Sequence, residues 1–214
     1  LRRAHDAMLS RARVAVLVSG SGTNLQALLD AQRAGKLPSG DICLVVSDRP
    51  DAYALERARQ HGVEALAIDR AKLGTARVEA ELMKALQAHR IDLIVLAGFL
   101  MILSPAFTAK YAGRIVNVHP SLLPAFGGKG YYGLKVHQAV LARGVQVTGA
   151  TVHLVTEEPD GGPILLQKAV RVHRRDTPES LQQRVMREAE WQLLPRAVEQ
   201  LCRSLVKEEK HVKP

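Results

Sequence analysis

Short apolar runs rich in valine, isoleucine and leucine alternate along the first half of the chain with longer stretches of helical periodicity. The apolar runs predict five strands, at 14–19, 42–47, 64–68, 92–98 and 115–119. Helices are predicted near 23–34, 51–61, 74–89 and 104–112, with Thr23, Asp51 and Ser104 as N-caps and Gly35 and Gly62 as stops. Strands that alternate with helices in this way indicate a parallel sheet covered on both faces.

The pattern changes after His119. The stretch TGATVHLVTEEPDGGPILLQKAV predicts two strands joined at Asp160-Gly161, and residues 177–205 predict a long helix that Pro195 kinks. The predicted fold class is therefore α/β, an open, mostly parallel Rossmann-like sheet with a C-terminal antiparallel extension. Since no repeat or low-complexity linker divides the chain, we expect one domain over 1–214, with flexible ends at 1–11 and 207–214.

Composition places this fold in a soluble protein. The 214 residues are 47% hydrophobic and 24% charged, and the two cysteines, Cys43 and Cys202, lack the spacing of a disulfide framework or a zinc site. No apolar run reaches about 18 residues, and the start lacks the apolar region of a secretory signal, so we expect a cytoplasmic protein without a membrane partner. The net charge of +9 is scattered and aromatic residues make up only 4%, which favours anionic small molecules over nucleic acid.

The stretch RIVNVHPSLLP, at 114–124, places two polar side chains in an otherwise apolar strand. Side chains alternate across a strand, so Asn117 and His119 share one face. An unpaired buried amide or imidazole costs roughly 1–3 kcal/mol, and either a structural network or a substrate must satisfy them. Pro120 favours an extended His119 at the carboxyl edge of the sheet, which is where open α/β sheets bind ligands.

Asn117 and His119 are residue types that suit acyl-transfer chemistry. An imidazole transfers protons near neutral pH, and an amide can donate a hydrogen bond to an oxyanion. Asp160, in the Asp-Gly-Gly-Pro turn, is the carboxylate best placed to orient the imidazole, and His153 could add a hydrogen bond. From the residues alone, a plain hairpin turn for Asp160 and a buried structural histidine at 153 are the favoured readings. No histidine or carboxylate pair has the usual spacing of metal ligands, so no metal is expected.

The first strand runs into a glycine turn, SGSGTNLQALLD at 19–30, that opens a helix. Glycines at 20 and 22 would let backbone N–H groups approach an anion at the helix N-terminus. Neither a dinucleotide fingerprint nor a Walker A sequence is complete, so a single phosphate fits better than a pyrophosphate. A tight turn capped by Thr23 or Asn24 explains the sequence equally well. Asp48 is a possible ribose ligand, although a turn residue is the favoured interpretation.

Five segments, taken in order, resemble the folate-dependent formyltransferases, and within them the branch that formylates glycinamide ribonucleotide. The segments are SGSGTNLQALLD, LAGFLMILS, IVNVHPSLLPAF, GATVHLV and DGGPILLQ, and the resemblance extends over about residues 12–200. It implies a one-carbon transferase of purine biosynthesis with a nucleotide-binding type of fold. It also implies 10-formyltetrahydrofolate as co-substrate, glycinamide ribonucleotide as acceptor, no metal, and a monomer or homodimer.

The resemblance also implies roles for individual residues, position by position. The catalytic residues would be Asn117, His119 and Asp160, supported by His153. The acceptor and its phosphate would be bound by Gly22, Thr23, Asn24, Arg187 and Glu190. The folate pocket would be formed by Arg77, Leu100, Met101, Leu103 and the loop 155–160 with Asp160.

The chain departs from the family pattern at three places. Met101 stands where the family usually has an arginine, Trp191 stands where it has a histidine, and the loop from FGGKGYYGLK onward differs. Formyltetrahydrofolate hydrolase and a non-catalytic nucleotide-binding module are the alternative interpretations. Methionyl-tRNA formyltransferase shares HPSLLP, but fewer than 50 residues follow DGGPILLQ, which is too short for its tRNA-binding domain.

Overall fold

The computed structural model describes residues 11–212. Its strands are β1 Ala12–Val18, β2 Gly40–Ser47, β3 Glu64–Ala67, β4 Leu93–Leu96, β5 Ile115–His119, β6 Val147–Leu154 and β7 Ile164–Arg171. Its α-helices are α1 Thr23–Arg33, α2 Tyr53–Gln60, α3 Arg70–Leu73, α4 Thr75–Ala88, α5 Pro105–Lys110, α6 Leu134–Arg143, α7 Pro178–Val185 and α8 Trp191–Val212. A π-helical turn, Met186–Glu190, joins α7 to α8.

One seven-stranded sheet runs through the described residues in the order β3-β2-β1-β4-β5-β6-β7. Pairing is parallel from β3 across to β5, and β6 and β7 are added antiparallel to their neighbours. The strand order reverses between β1 and β4, because the chain builds outward from β1 to β3 and then returns to the other side. A crevice at such a reversal, outside the carboxyl ends of the strands, is the usual ligand site of this architecture. The predicted fold class is confirmed.

The core lies in two apolar layers on either side of the sheet. In β1, Val14, Val16 and Val18 face one layer, while Ala15 and Leu17 face the other, and all five are fully buried. A strand buried on both faces explains why the run reads as continuously apolar rather than alternating. Within residues 11–212, no helix combines the length and apolar character that crossing a bilayer requires.

Helix boundaries agree with the sequence prediction at some ends and not at others. Ser104 caps α5 as predicted, since its Oγ accepts a hydrogen bond from the N–H of Phe107 at 3.2 Å. The predicted caps Thr23 and Asp51 are wrong, because the N-caps are Gly22 and Ala52. Gly35 and Gly62 follow the last turns of α1 and α2 with φ of +69° and +70°, as expected of helix stops.

Three further differences concern the second half of the chain. Helix α6 was not predicted. The long C-terminal helix is interrupted by the π-helical turn, and Pro195 lies inside α8. The end expected to be flexible at 207–214 is helical as far as Val212, while the start, up to residue 10, lies outside the described residues.

Candidate active site

A cleft of about 880 Å³ lies beyond the carboxyl ends of β1, β4 and β5, at the reversal of strand order. Its walls come from the turn after β1, the segment after β4, the end of β5 and the loop that follows, the β6–β7 turn, and the α7 and π-helical region. They include Gly22, Thr23, Asn24, Arg70, Leu100, Met101, Asn117, His119, Lys129, Tyr132, Lys135, Asp160 and Glu190. Most residues predicted to form a site therefore share one cleft.

The three predicted catalytic residues, Asn117, His119 and Asp160, meet the supporting His153 beside β5. Asn117 pairs with His153 across the antiparallel β5–β6 ladder, which brings these two side chains together. Asp160 adopts a left-handed conformation, with φ of +56°, in the turn after β6. Its Oδ2 lies 3.4 Å from Nδ1 of His119, and its Oδ1 lies 3.5 Å from Nε2 of His153. The alternative of a plain hairpin turn at Asp160 does not account for these contacts.

Hydrogen bonds to backbone carbonyls determine where protons lie on the two imidazoles. Nε2 of His119 is 2.8 Å from the carbonyl oxygen of Phe126, so this nitrogen must donate, and Nδ1 is left to face the carboxylate. In the same way Nδ1 of His153 donates to the carbonyl of Leu154 at 2.9 Å, which leaves Nε2 to accept from the Asn117 amide at 3.2 Å. The Asn117 amide therefore retains one N–H that can point into the cleft.

Burial and charge act in opposite directions on the central pair. Burial lowers the pKa of His119, which is 4% exposed, and the Asp160 carboxylate and the Phe126 carbonyl oppose this only in part. Burial would raise the pKa of Asp160, but the neighbouring His153, His119 and the Gly128 N–H together lower it. Burial thus disfavours the charged form of His119, while the groups around Asp160 favour its charged carboxylate.

Hydrogen bonds connect the loop after β5 to both His119 and Asp160. The N–H of Gly128 donates to Oδ2 of Asp160 at 2.9 Å, and the strained Phe126, with φ of +54°, turns its carbonyl toward His119. A Cβ at Gly127 would collide with Leu123 and lie 3.5 Å from Cβ of Asp160, so glycine lets the loop approach the carboxylate. The Leu123-Pro124 peptide bond is cis.

The glycine turn after β1 forms the opposite wall of the cleft. Gly22 has φ of +73°, and a Cβ there would lie 2.6 Å from Cβ of Ala54, so this position requires glycine on two grounds. Asn24 donates to Oε2 of Glu190 at 2.6 Å. Burial raises the pKa of Glu190 to about 7, and the bond from Asn24 offsets only part of this. Thr23 Oγ1 lies 3.7 Å from the sulfur of Met186.

Four predicted site residues do not lie on the cleft wall, and the first is His153, which is buried behind Asn117. Arg187 is exposed on the π-helical turn and faces Glu188 at 3.8 Å. Arg77 is exposed on α4 and lines a separate shallow groove. Leu103 packs in the apolar layer behind the cleft. Met101 does line the cleft, but it is only 5% exposed and packs in that same layer.

Arg70 is a cleft residue that the sequence prediction missed. Its guanidinium lies 3.2 Å from Oδ2 of the buried Asp48, whose Oδ1 accepts from Ser19 at 2.6 Å. Ser19 in turn accepts a bond from the N–H of Leu100 at 2.9 Å. Asp48 lies in the turn directly after β2, as the favoured interpretation predicted, and it is buried and pairs with Arg70 beside the cleft. The position of Arg70 three residues after β3 was the available signal.

The loop and the start of α6 add basic and aromatic groups that the sequence prediction noted only as a departure. Lys129, Tyr131, Tyr132 and Lys135 all line the cleft, and Nζ of Lys135 donates to the Tyr132 hydroxyl at 3.0 Å. Basic and aromatic residues within the stretch GGKGYYGLK were the signal for this wall.

His137 on α6 was also missed. It is fully buried, and neither ring nitrogen has a hydrogen-bond partner within residues 11–212. Burial, and to a smaller extent the nearby His119, lower its pKa to about 4, so this imidazole is neutral at physiological pH. Within the described part of the chain, no group of three or more histidine, cysteine, aspartate or glutamate residues is placed to hold a metal ion.

Formyl transfer is a reaction that this cleft suits, since an amide, an imidazole and a carboxylate meet at its edge. The sequence model described as Formyl transferase matches residues 12–198, and the chain belongs to this family. It is 42% identical over 173 residues to phosphoribosylglycinamide formyltransferase of Escherichia coli (strain K12), a match that covers 80% of this chain and 79% of that protein. The family predicted from the motifs is confirmed.

Solved structures agree with this placement. The fold is similar to that of glycinamide ribonucleotide transformylase 1 from Symbiobacterium toebii, with a TM-score of 0.84 and 44% identity over 91% of this chain and 89% of that chain. It is also similar to formyltetrahydrofolate deformylase from Burkholderia mallei, with a TM-score of 0.77 and 34% identity, over 89% of this chain and 64% of that chain. The fold alone therefore does not separate transfer to an amine from transfer to water.

Proposed function

We propose that the protein transfers the formyl group of 10-formyltetrahydrofolate to the amine of glycinamide ribonucleotide, a step of purine biosynthesis. The convergence of Asn117, His119 and Asp160 at one end of a cleft, opposite a glycine turn at the other, is the observation that carries the proposal. The similarity to the Escherichia coli and Symbiobacterium toebii proteins supports the choice of acceptor.

The reaction needs no covalent bond to the protein. The amine nitrogen of the acceptor bonds to the formyl carbon, and the formyl oxygen becomes an oxyanion. When this intermediate collapses, the bond from carbon to N10 of the folate breaks, the nitrogen that attacked loses a proton, and N10 gains one. The products are the formamide of the acceptor and tetrahydrofolate. Holding both substrates in one cleft supplies much of the rate enhancement.

The catalytic residues act on the charge that develops. The free N–H of Asn117 would donate to the oxyanion, and His119 would take up a proton as that charge forms beside it. Asp160 favours the imidazolium because its carboxylate faces Nδ1, while the Phe126 carbonyl keeps Nε2 protonated. His153 orients the Asn117 amide rather than acting on substrate.

The two substrates would occupy opposite ends of the cleft. The backbone at Gly22, Thr23 and Asn24 would bind the acceptor's phosphate, and Glu190 would bind its polar body. Leu100 and Met101 would contact the folate. We assign no substrate contact to Arg187, Arg77 or Leu103 from their positions in this structure. Arg70 supplies a cleft guanidinium that can attract the carboxylates of the donor.

We further propose that the protein binds only small molecules and is a monomer or homodimer. We place it in the cytoplasm, with Cys43 and Cys202 as free thiols.

One assay separates the proposed transferase from the hydrolase. The protein is mixed with 10-formyltetrahydrofolate, and the release of tetrahydrofolate is followed with and without glycinamide ribonucleotide. We expect release to depend on the acceptor. Equal release of tetrahydrofolate without the acceptor would identify a hydrolase. No release with or without the acceptor would indicate a non-catalytic binding module. The Asn117→Ala variant is the control for release that does not depend on the site.

A further inference from the structure

A second cavity, of about 950 Å³, lies between α1 and α8 on the outside of the active-site cleft. Thr23 lines both cavities, so the two are neighbours separated by the first turn of α1. The cavity is large enough for a ligand of drug or nucleotide size, since such sites usually measure about 300–1,000 Å³. Of the residues assigned above to catalysis or substrate binding, only Thr23 lines it.

Positive charge predominates in this groove. Four basic side chains line it against two carboxylates, and one of these, Glu199, already bonds Ser39 at 2.9 and 3.0 Å and Arg203 at 3.1 Å. Neither Arg196 nor Lys36 has a side-chain hydrogen bond or ion pair within the part of the chain that the structure describes. The groove thus offers two cationic groups that no internal acid neutralises, which favours an anionic occupant.

An aromatic surface lies beside these charges. Trp191, the single tryptophan of the chain, begins α8, lines the groove and is 37% exposed. Exposed indoles are the side chains on which planar rings stack most favourably. Arg196 follows five residues later on the same helix, about 7.5 Å further along the axis and about 140° further around it. Its side chain lines the same groove as Trp191.

We propose that the groove between α1 and α8 binds a nucleoside monophosphate, with the base stacked on Trp191 and the phosphate held by Arg196 and Lys36. This site is distinct from the acceptor site and does not depend on the proposed reaction.

The single tryptophan makes binding directly observable. Its emission, excited at the red edge of indole absorption to avoid absorption by the ligand, is titrated with AMP, adenosine and inorganic phosphate in turn. We expect a saturable change with AMP at lower concentration than with adenosine, and no change with phosphate alone. A linear, unsaturable response to AMP, or equal affinity for AMP and adenosine, would overturn the proposal.

Matched lysine variants distinguish the groove from the cleft. Lys36→Gln in the groove and Lys129→Gln in the cleft each remove one exposed lysine without a partner in the described structure. We expect Lys36→Gln and Arg196→Gln to raise the Kd for AMP about threefold to tenfold, because each removes a charged contact. Lys129→Gln should leave it unchanged. The reverse pattern would place the nucleotide in the active-site cleft and overturn the proposal.

Calorimetry with Trp191→Leu tests the stacking contact without the fluorescent reporter. Loss of a base-to-indole stack should raise the Kd for AMP on the order of tenfold while adenosine binding becomes undetectable. Circular dichroism and the unfolding midpoint of each variant show that it is folded. An unchanged Kd in folded Trp191→Leu would show that the base does not lie on the indole.

Discussion

Replacing Asp160 with asparagine keeps the shape of the side chain and removes its charge from the centre of the site. In the wild-type protein the carboxylate faces Nδ1 of His119 at 3.4 Å, accepts a bond from the Gly128 N–H at 2.9 Å, and is largely shielded from solvent. The amide oxygen of asparagine can still accept the bond from Gly128. The variant therefore tests the charge rather than the position of the loop.

The magnitude follows from the distance. A full ion pair at 3.4 Å is worth about 5 kcal/mol at an effective dielectric constant near 20, and the amide dipole retains part of this. If the imidazolium forms only as the oxyanion develops, the loss of about 3–4 kcal/mol falls on the transition state. We expect kcat to fall on the order of 10²–10³-fold while the KM of each substrate changes little.

Steady-state kinetics with both substrates varied give the measurement. The carboxylate raises the pKa of His119 against the effect of burial, so the variant should also titrate His119 at a lower pH than the wild-type protein. Asp51→Asn is the matched control, because it removes an exposed carboxylate paired only with Arg49 at 3.4 Å and should leave kcat unchanged. A kcat for Asp160→Asn within about threefold of wild type would refute the assigned role.

The remaining predictions concern the amide, the glycine turn and the buried glutamate. Asn117→Ala removes the remaining N–H donor and should lower kcat on the order of 10²-fold or more with little change in KM; comparable kcat values would contradict its role at the oxyanion. Gly22→Ala should lower the free energy of unfolding by about 2–4 kcal/mol, and Gly35→Ala by only about 1 kcal/mol. Both glycines have positive φ, but only at Gly22 would a Cβ collide with other atoms. Denaturant titration compares the two variants, and equal losses would contradict the clash. Burial raises the pKa of Glu190 to about 7, so the folded state loses stability as the pH rises from the model value of 4.5 to about 7. Glu190→Gln should therefore raise the free energy of unfolding by about 2–3 kcal/mol near pH 8 and by under about 1 kcal/mol near pH 5. A gain in stability that does not depend on pH would rule out this titration.

Much of the fold is predictable from local pattern. Apolar runs with strand character and helical stretches alternate in an order that specifies a parallel sheet, and five predicted strands are present in that order. Asn117 and His119 could be placed on one face because the period of a strand is two residues. Helix α6 was missed although most of LKVHQAVLAR consists of good helix formers, and Val136 and Val140 pack it into the core.

The sequence by itself determined the strand order, the shared face of Asn117 and His119, and the glycine turn, because each depends on backbone geometry within a few residues. The tertiary structure alone decided that Asp160 reaches His119 across the β6–β7 turn, and that Arg70 rather than Arg77 lines the cleft. These distances join segments dozens of residues apart. They follow from how strands pair and helices pack over the whole sheet, and no local period along the chain encodes them.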